Sequence, residues 1–151
     1  MPKPTPNGPA SAPMLYEFEL ITESKIQTEE DLDVLATGIC ELFTDDVLLE
    51  DLSTDEVTRG QDQLHDFCKQ LFGPYSNVKI EAKEVIDSPN VSTMVIEISG
   101  DHTGELYGYP ATGRRVSFPA VAIYRTNDDN TKVRHETLAY DTNVIIEQIK
   151  G

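Results

Sequence analysis

The dominant hydrophobic period changes at Gly73-Pro74, and this limits the fold more than any other feature. Before it, apolar residues recur at helical spacing. Leu32, Leu35, Ile39, Cys40 and Phe43 make one face, and Leu64, Phe67, Cys68, Leu71 and Phe72 make another. After it, apolar and polar residues alternate, as in strands with one buried face. Helices followed by a run of strands predict an α+β fold, with a curved antiparallel or mixed sheet wrapped around N-terminal helices. That arrangement forms a cone, and the mouth of a cone is a place for an apolar pocket.

Local signals refine this plan. The helix over 61–72 is stopped by Gly73-Pro74. Thr28 and Asp31 have the spacing of a capping box, with Asp in place of Glu or Gln. Residues 14–27 fit a helix through Leu15, Phe18 and Ile21, but "YEFEL" also alternates like a strand; the helix is the reading adopted. "VLLED", 47–51, is a short strand. Further strands are expected at 77–87, 91–99, 101–109, 115–126 and 132–141, with turns at "SPN", "PATG" and "NDDNT" and a closing helix "NVIIEQIK". Five of the nine prolines lie in residues 1–13, which reads as a disordered tail before a single domain over 14–151.

Composition narrows the partners. A net charge of −15 opposes nucleic acid and anionic membrane surfaces. No apolar run approaches the ~18 residues of a membrane span. The N-terminus has no hydrophobic signal region, so a cytoplasmic location is expected. Cys40 and Cys68 form no CxxC and read as small hydrophobes in a reducing compartment. Three scattered histidines do not suggest a zinc site, and no phosphate loop or nucleophile motif is present. Neither a metal nor a cofactor is expected.

Alternation then assigns side chains to faces. In 115–126, Phe118, Ala120, Ala122 and Tyr124 share one face, while Ser117, Pro119, Val121, Ile123 and Arg125 share the other. Both faces are partly apolar, so a homodimer through Val121 and Ile123 is expected. In 132–141, Val133, His135, Thr137, Ala139 and Asp141 share a face. Ala120, Ala122, Thr137 and Ala139 are small enough to line a cavity, unless helices fill the space. Asp141 ends its strand, where it serves either as an acid/base group or as the cap of the last helix. Asp51 ends "VLLED", either in the pocket or as a solvated loop carboxylate. His102 is either a pocket residue or an ordinary half-buried histidine, and Gly104 and Gly108 mark bends beside it.

"HTGELYGYPATGRRV", then "IYR", a turn, "KVRHETLAYD" and "IIEQI" together resemble the C-terminal half of SnoaL-like polyketide cyclases, across about residues 94–150. These belong to the nuclear transport factor two-like superfamily of α+β cones. "LFTDDVLLEDLSTDEVTRG" resembles the matching segment of ketosteroid isomerases, a sister family. The resemblance implies that Asp141 is the general acid/base, that Asp51 shuttles a proton, and that His102 matches a histidine of the cyclases. It also exposes a departure. The cyclases look to carry Gln and His where this chain has Ala120 and Ala122, and the isomerases carry a protonated Asp near Ala122. The usual oxyanion partners are missing from that strand.

These readings converge on a cofactor-independent isomerase or cyclase acting on a bulky apolar polyketide or terpenoid intermediate. Asp141, Asp51 and His102 would carry the chemistry, and Phe118, Ala120, Ala122, Tyr124, Thr137 and Ala139 would contact the substrate. An apolar cavity disfavours a carboxylate's charged form, and a second carboxyl nearby adds to the effect, which is how acid/base pairs reach useful pKa values. Two other readings stay open. One is a non-catalytic small-molecule-binding or dimerisation module. The other is a hydrolase of the limonene-epoxide type, although His102 and Gly104 stand where its Arg and one Asp would fall.

Overall fold

In the computed structural model, which describes residues 2–151, four helices cover one face of a six-stranded sheet. The elements run α1 (Ala12–Glu23), α2 (Glu29–Cys40), β1 (Phe43–Asp51), β2 (Glu56–Arg59), α3 (Gly60–Phe72), β3 (Tyr75–Ser88), β4 (Val91–His102), β5 (Arg115–Thr126), β6 (Val133–Tyr140) and α4 (Thr142–Lys150). The strand order is β2-β1-β6-β5-β4-β3. All neighbours are antiparallel except β1 and β6, which run parallel. The expected mixed sheet is therefore present, with β2 as an additional edge strand.

Residues 12–23 are helical, because Met14, Phe18 and Ile21 recur on one buried face. The capping box of α2 forms as its spacing predicts. Asp31 N–H donates to Thr28 Oγ1 at 3.1 Å, and Thr28 N–H donates to Asp31 Oδ2 at 3.1 Å. The side chains of α1, α2 and α3 meet the inner face of the sheet in one core that includes Phe43, Leu49, Met94, Ile96 and Tyr124. Phe18 meets Tyr124 edge-on, with ring centroids 6.5 Å apart. Where β6 ends, β5 is left with open backbone groups at Ser117. The α4 side chain of Gln148 satisfies both, accepting from Ser117 N–H at 2.9 Å and donating to its carbonyl at 2.7 Å.

Three expectations are corrected. Residues 103–109 are not a strand: β4 runs unbroken to His102, and a loop follows with one isolated bridge between Leu106 and Tyr109. Tyr107 (φ +50°) and Gly108 (φ +82°) both occupy the left-handed region, which ends any ladder. The proline-rich segment is not loose along its length. Asn7 N–H donates to the Asp129 carbonyl at 2.7 Å, Asn130 Nδ2 donates to the Gly8 carbonyl at 2.9 Å, and Ala10 and Ser11 are buried.

The third correction concerns β6. Thr126 pairs with Val133 and Arg125 with His135, so Arg134 is an extra residue, a β-bulge. Past a bulge, the faces exchange. Val133 is buried above it, but below it Glu136, Leu138 and Tyr140 face the helices, while His135, Thr137 and Ala139 face outward. Unbroken alternation from Val133 therefore assigns Thr137, Ala139 and Asp141 to the wrong side.

Candidate active site

The ends of β1 and β6 are tied together around Asp51. Leu52 N–H donates to the Leu138 carbonyl at 2.9 Å, and Tyr140 N–H donates to Ser53 Oγ at 2.7 Å. The chain turns immediately after β1, and Ser53 N–H donates back to Asp51 Oδ1 at 2.9 Å. The Tyr140 hydroxyl donates to Asp51 Oδ2 at 3.1 Å. Each carboxyl oxygen thus has a donor, and Asp51 is only 2 % exposed. This meets the requirement that a buried carboxylate be hydrogen-bonded.

Asp51 lies on the wall of a cavity of about 160 Å³ at the open end of the sheet. Phe67, Leu71, Leu106, Phe118 and Ile145 give it apolar walls, and Gln70, Tyr75, Tyr107 and Tyr140 bring polar groups. Helices α3 and α4, several strands and the loop after β4 all contribute, so the cavity exists only in the assembled fold. Tyr75 crosses directly above Gly100: a Cβ there would come within 3.0 Å of the Tyr75 Cβ and 3.2 Å of its ring. Glycine at 100 is what lets the phenol lie flat on the sheet.

The phenols are held neutral. Burial and the nearby Asp51 charge push Tyr140 up, and burial pushes Tyr75 up. Burial also raises Tyr107, whose hydroxyl interacts with that of Tyr140. Behind Asp51, Glu136 is 7 % exposed, and burial together with the Asp51 charge pushes it up to about 8.

The structure brings together only part of the expected set. Asp51 and Phe118 line the cavity. Ala120, Ala122 and Tyr124 share the inner face as expected, but they are packed into the core and do not line the cavity. Helix α1 supplies part of that packing through Phe18. Thr137 and Ala139 pair with Ile123 and Val121 on the outer face, and Thr137 Oγ1 accepts from Arg125 at 3.1 Å. Asp141 is exposed and caps α4, accepting from Asn143 N–H at 2.9 Å. Of its two sequence readings, the structure shows the cap.

His102 is fully buried but does not line the cavity. Thr112 N–H donates to its Nδ1 at 3.3 Å, and Thr112 Oγ1 lies 3.0 Å from the same nitrogen. An acceptor at Nδ1 places the ring proton on Nε2, which has no partner among the described residues. His102 therefore pins the 103–114 loop whose residues Leu106 and Tyr107 reach the cavity. Tyr75, Tyr107, Tyr140 and Glu136 went unread in the sequence. Tyr140 had one usable signal: it precedes Asp141, so one of the two must face inward.

Residues 29–149 match the profile of the SnoaL-like polyketide cyclases. No curated protein matches the chain. Among solved structures, a protein from Jannaschia sp. CCS1 provisionally described as a SnoaL-like polyketide cyclase is 14% identical, with a TM-score of 0.76 over 100% of this chain and 98% of that one. A similarly described protein from Shewanella putrefaciens CN-32 is 15% identical, with a TM-score of 0.75 over 93% and 85%. AclR of Streptomyces galilaeus, provisionally described as a hydroxylase, is 16% identical, with a TM-score of 0.72 over 93% and 95%. At such identities these structures establish the fold, and the profile establishes the lineage: the chain belongs to the SnoaL-like polyketide cyclase family.

Proposed function

We propose that this protein is a cofactor-independent isomerase or cyclase that moves a proton on a bulky apolar polyketide or terpenoid intermediate, with Asp51 as the general base. The observation that carries this reading is a buried, doubly hydrogen-bonded carboxylate in the wall of a largely apolar cavity. Asp51 takes a proton from the carbon next to a substrate carbonyl, and the electron pair moves onto the carbonyl oxygen as an enolate. The same carboxyl then returns the proton to a different carbon, or the enolate carbon attacks a second carbonyl, closes a ring and leaves an alkoxide that takes the proton back from Asp51. The strand that carries oxyanion partners in relatives has methyl groups here. Neutral phenols from other elements, Tyr75 and Tyr107, stand at the same cavity and take the role of donors to the enolate oxygen. The reading includes a homodimer through the outer face of β5, where Val121 is exposed.

The test needs no native substrate. The protein is incubated with α-tetralone, a bulky apolar ketone, in D2O, and deuterium entry beside the carbonyl is followed by NMR. The wild-type protein accelerates exchange, and Asp51→Asn lowers the rate by about 10²-fold or more. Tyr140→Phe, which removes one donor to Asp51, lowers it less. Equal exchange by wild type and Asp51→Asn refutes the base assignment. Tetralone binding without exchange, seen as a thermal shift, favours a binding module.

A further inference from the structure

Glu136 sits on the inner face of β6, opposite Leu49 of β1 and Tyr124 of β5. Asp51 is two residues beyond Leu49 on the same face and pairs with Leu138, so Asp51 and Glu136 are diagonal neighbours across the parallel β1/β6 seam. Both are buried. The titratable groups facing Glu136 are Asp51 of β1, Glu17 of α1, Tyr124 of β5 and the thiol of Cys68 on α3; Cys40 of α2 faces Glu17 in the same cluster. None of them is a cation. Two carboxyls this close, with no positive charge beside them, do not both ionise. Asp51 is the member with a hydrogen-bond donor on each oxygen, so it is the better place for the charge.

We propose that Glu136 is a positioning residue of the Asp51 site: the two carboxyls share one negative charge, and Glu136, by staying neutral, leaves that charge on Asp51 at the cavity. This rests on the reading of Asp51 as the base. Glu136 touches no substrate and acts only through its neighbour. Its ionisation puts a buried anion behind the base, in addition to the exposed Glu56 that pairs with Asp51 across β1 and β2, so an enolate forming at the cavity would face one more negative charge. With Glu136 pushed up to about 8, that ionisation falls within reach of ordinary assays.

The first measurement is independent of activity. In protein carrying ¹³C at the glutamate carboxyls, one resonance titrates near pH 8 and is absent from Glu136→Gln, which assigns it. In Asp51→Asn its midpoint falls by about one unit, because the neighbouring charge is gone. Glu50→Gln removes a carboxyl on the same strand but the outer face, and leaves the midpoint in place. A midpoint unmoved in Asp51→Asn, or no carboxyl titrating above pH 7, overturns the proposal. The second measurement is tetralone exchange against pH, and it does not depend on Asp51→Asn folding. The wild-type rate falls several-fold above pH 8, and that of Glu136→Gln does not. Identical profiles overturn the positioning role. Absence of exchange in the wild type instead overturns the assignment of Asp51 as base, and the carboxyl titration still reports whether the two groups share a charge.

Discussion

Replacing Glu136 with glutamine should stabilise the protein, and by more as the pH rises. In the folded protein Glu136 keeps its proton up to about pH 8, against an ordinary value of 4.5. Between those values the folded state holds a proton that the unfolded chain has lost. Stability therefore falls as pH rises, by about 1.4 kcal/mol per unit for one fully coupled group. Below 4.5 both states are protonated and the cost is absent. Above about 8 both are ionised, and the whole cost, on the order of 5 kcal/mol, is in place. A glutamine side chain keeps the shape and never ionises. The stability gap between Glu136→Gln and wild type should thus widen by about 3 kcal/mol from pH 5 to pH 7. Glu17, which burial and then the Glu136 charge push up, is raised less in the variant and adds to the same widening. Urea unfolding followed by circular dichroism at several pH values measures the gap directly. Parallel stability curves for the two proteins, with a gap that does not grow, would refute the argument that Glu136 is buried neutral.

Two further outcomes concern residues that the sequence already singles out. Asp141→Ala removes the cap of α4 and should cost about 1 kcal/mol in the same urea assay, with tetralone exchange unchanged; a loss of exchange in the folded variant would return Asp141 to the reacting groups. Val121 is 47% exposed on the outer face of β5, and light scattering should report a dimer at micromolar concentration that Val121→Glu converts to monomer; a monomeric wild type would refute the interface.

Where local chemistry decides structure, it was readable in the sequence. Thr28 and Asp31 announce the start of α2, Gly73-Pro74 announces the end of α3, and the alternation from Val116 to Tyr124 gives the faces of β5 correctly. The misassigned faces of β6 originate in the bulge at Arg134, which no turn residue marks. One extra residue exchanges the faces of β6, so Tyr140 and not Asp141 reaches the cavity, and Leu138 enters the core while Thr137 and Ala139 face outward. Glu136 was hidden for another reason. A glutamate in a strand reads as a solvated residue, and only the tertiary setting, which buries it beside Tyr124 and within reach of Glu17, shows otherwise. The edge strand β2 carries a single buried residue, Thr58, too little to leave a period.

The parallel seam between β1 and β6 also sets an order in time. Asp51 and the Tyr140 that donates to it are 89 residues apart, and the strands between them must be laid down before the two can lie side by side. As the chain emerges from a ribosome, Asp51 appears early, in a hairpin with β2 that carries none of its β6 neighbours. Leu138, Tyr140 and Glu136 arrive together, only after β3, β4 and β5. A nascent chain therefore holds Asp51 without its Tyr140 donor, and the pair forms only when β6 docks beside β1.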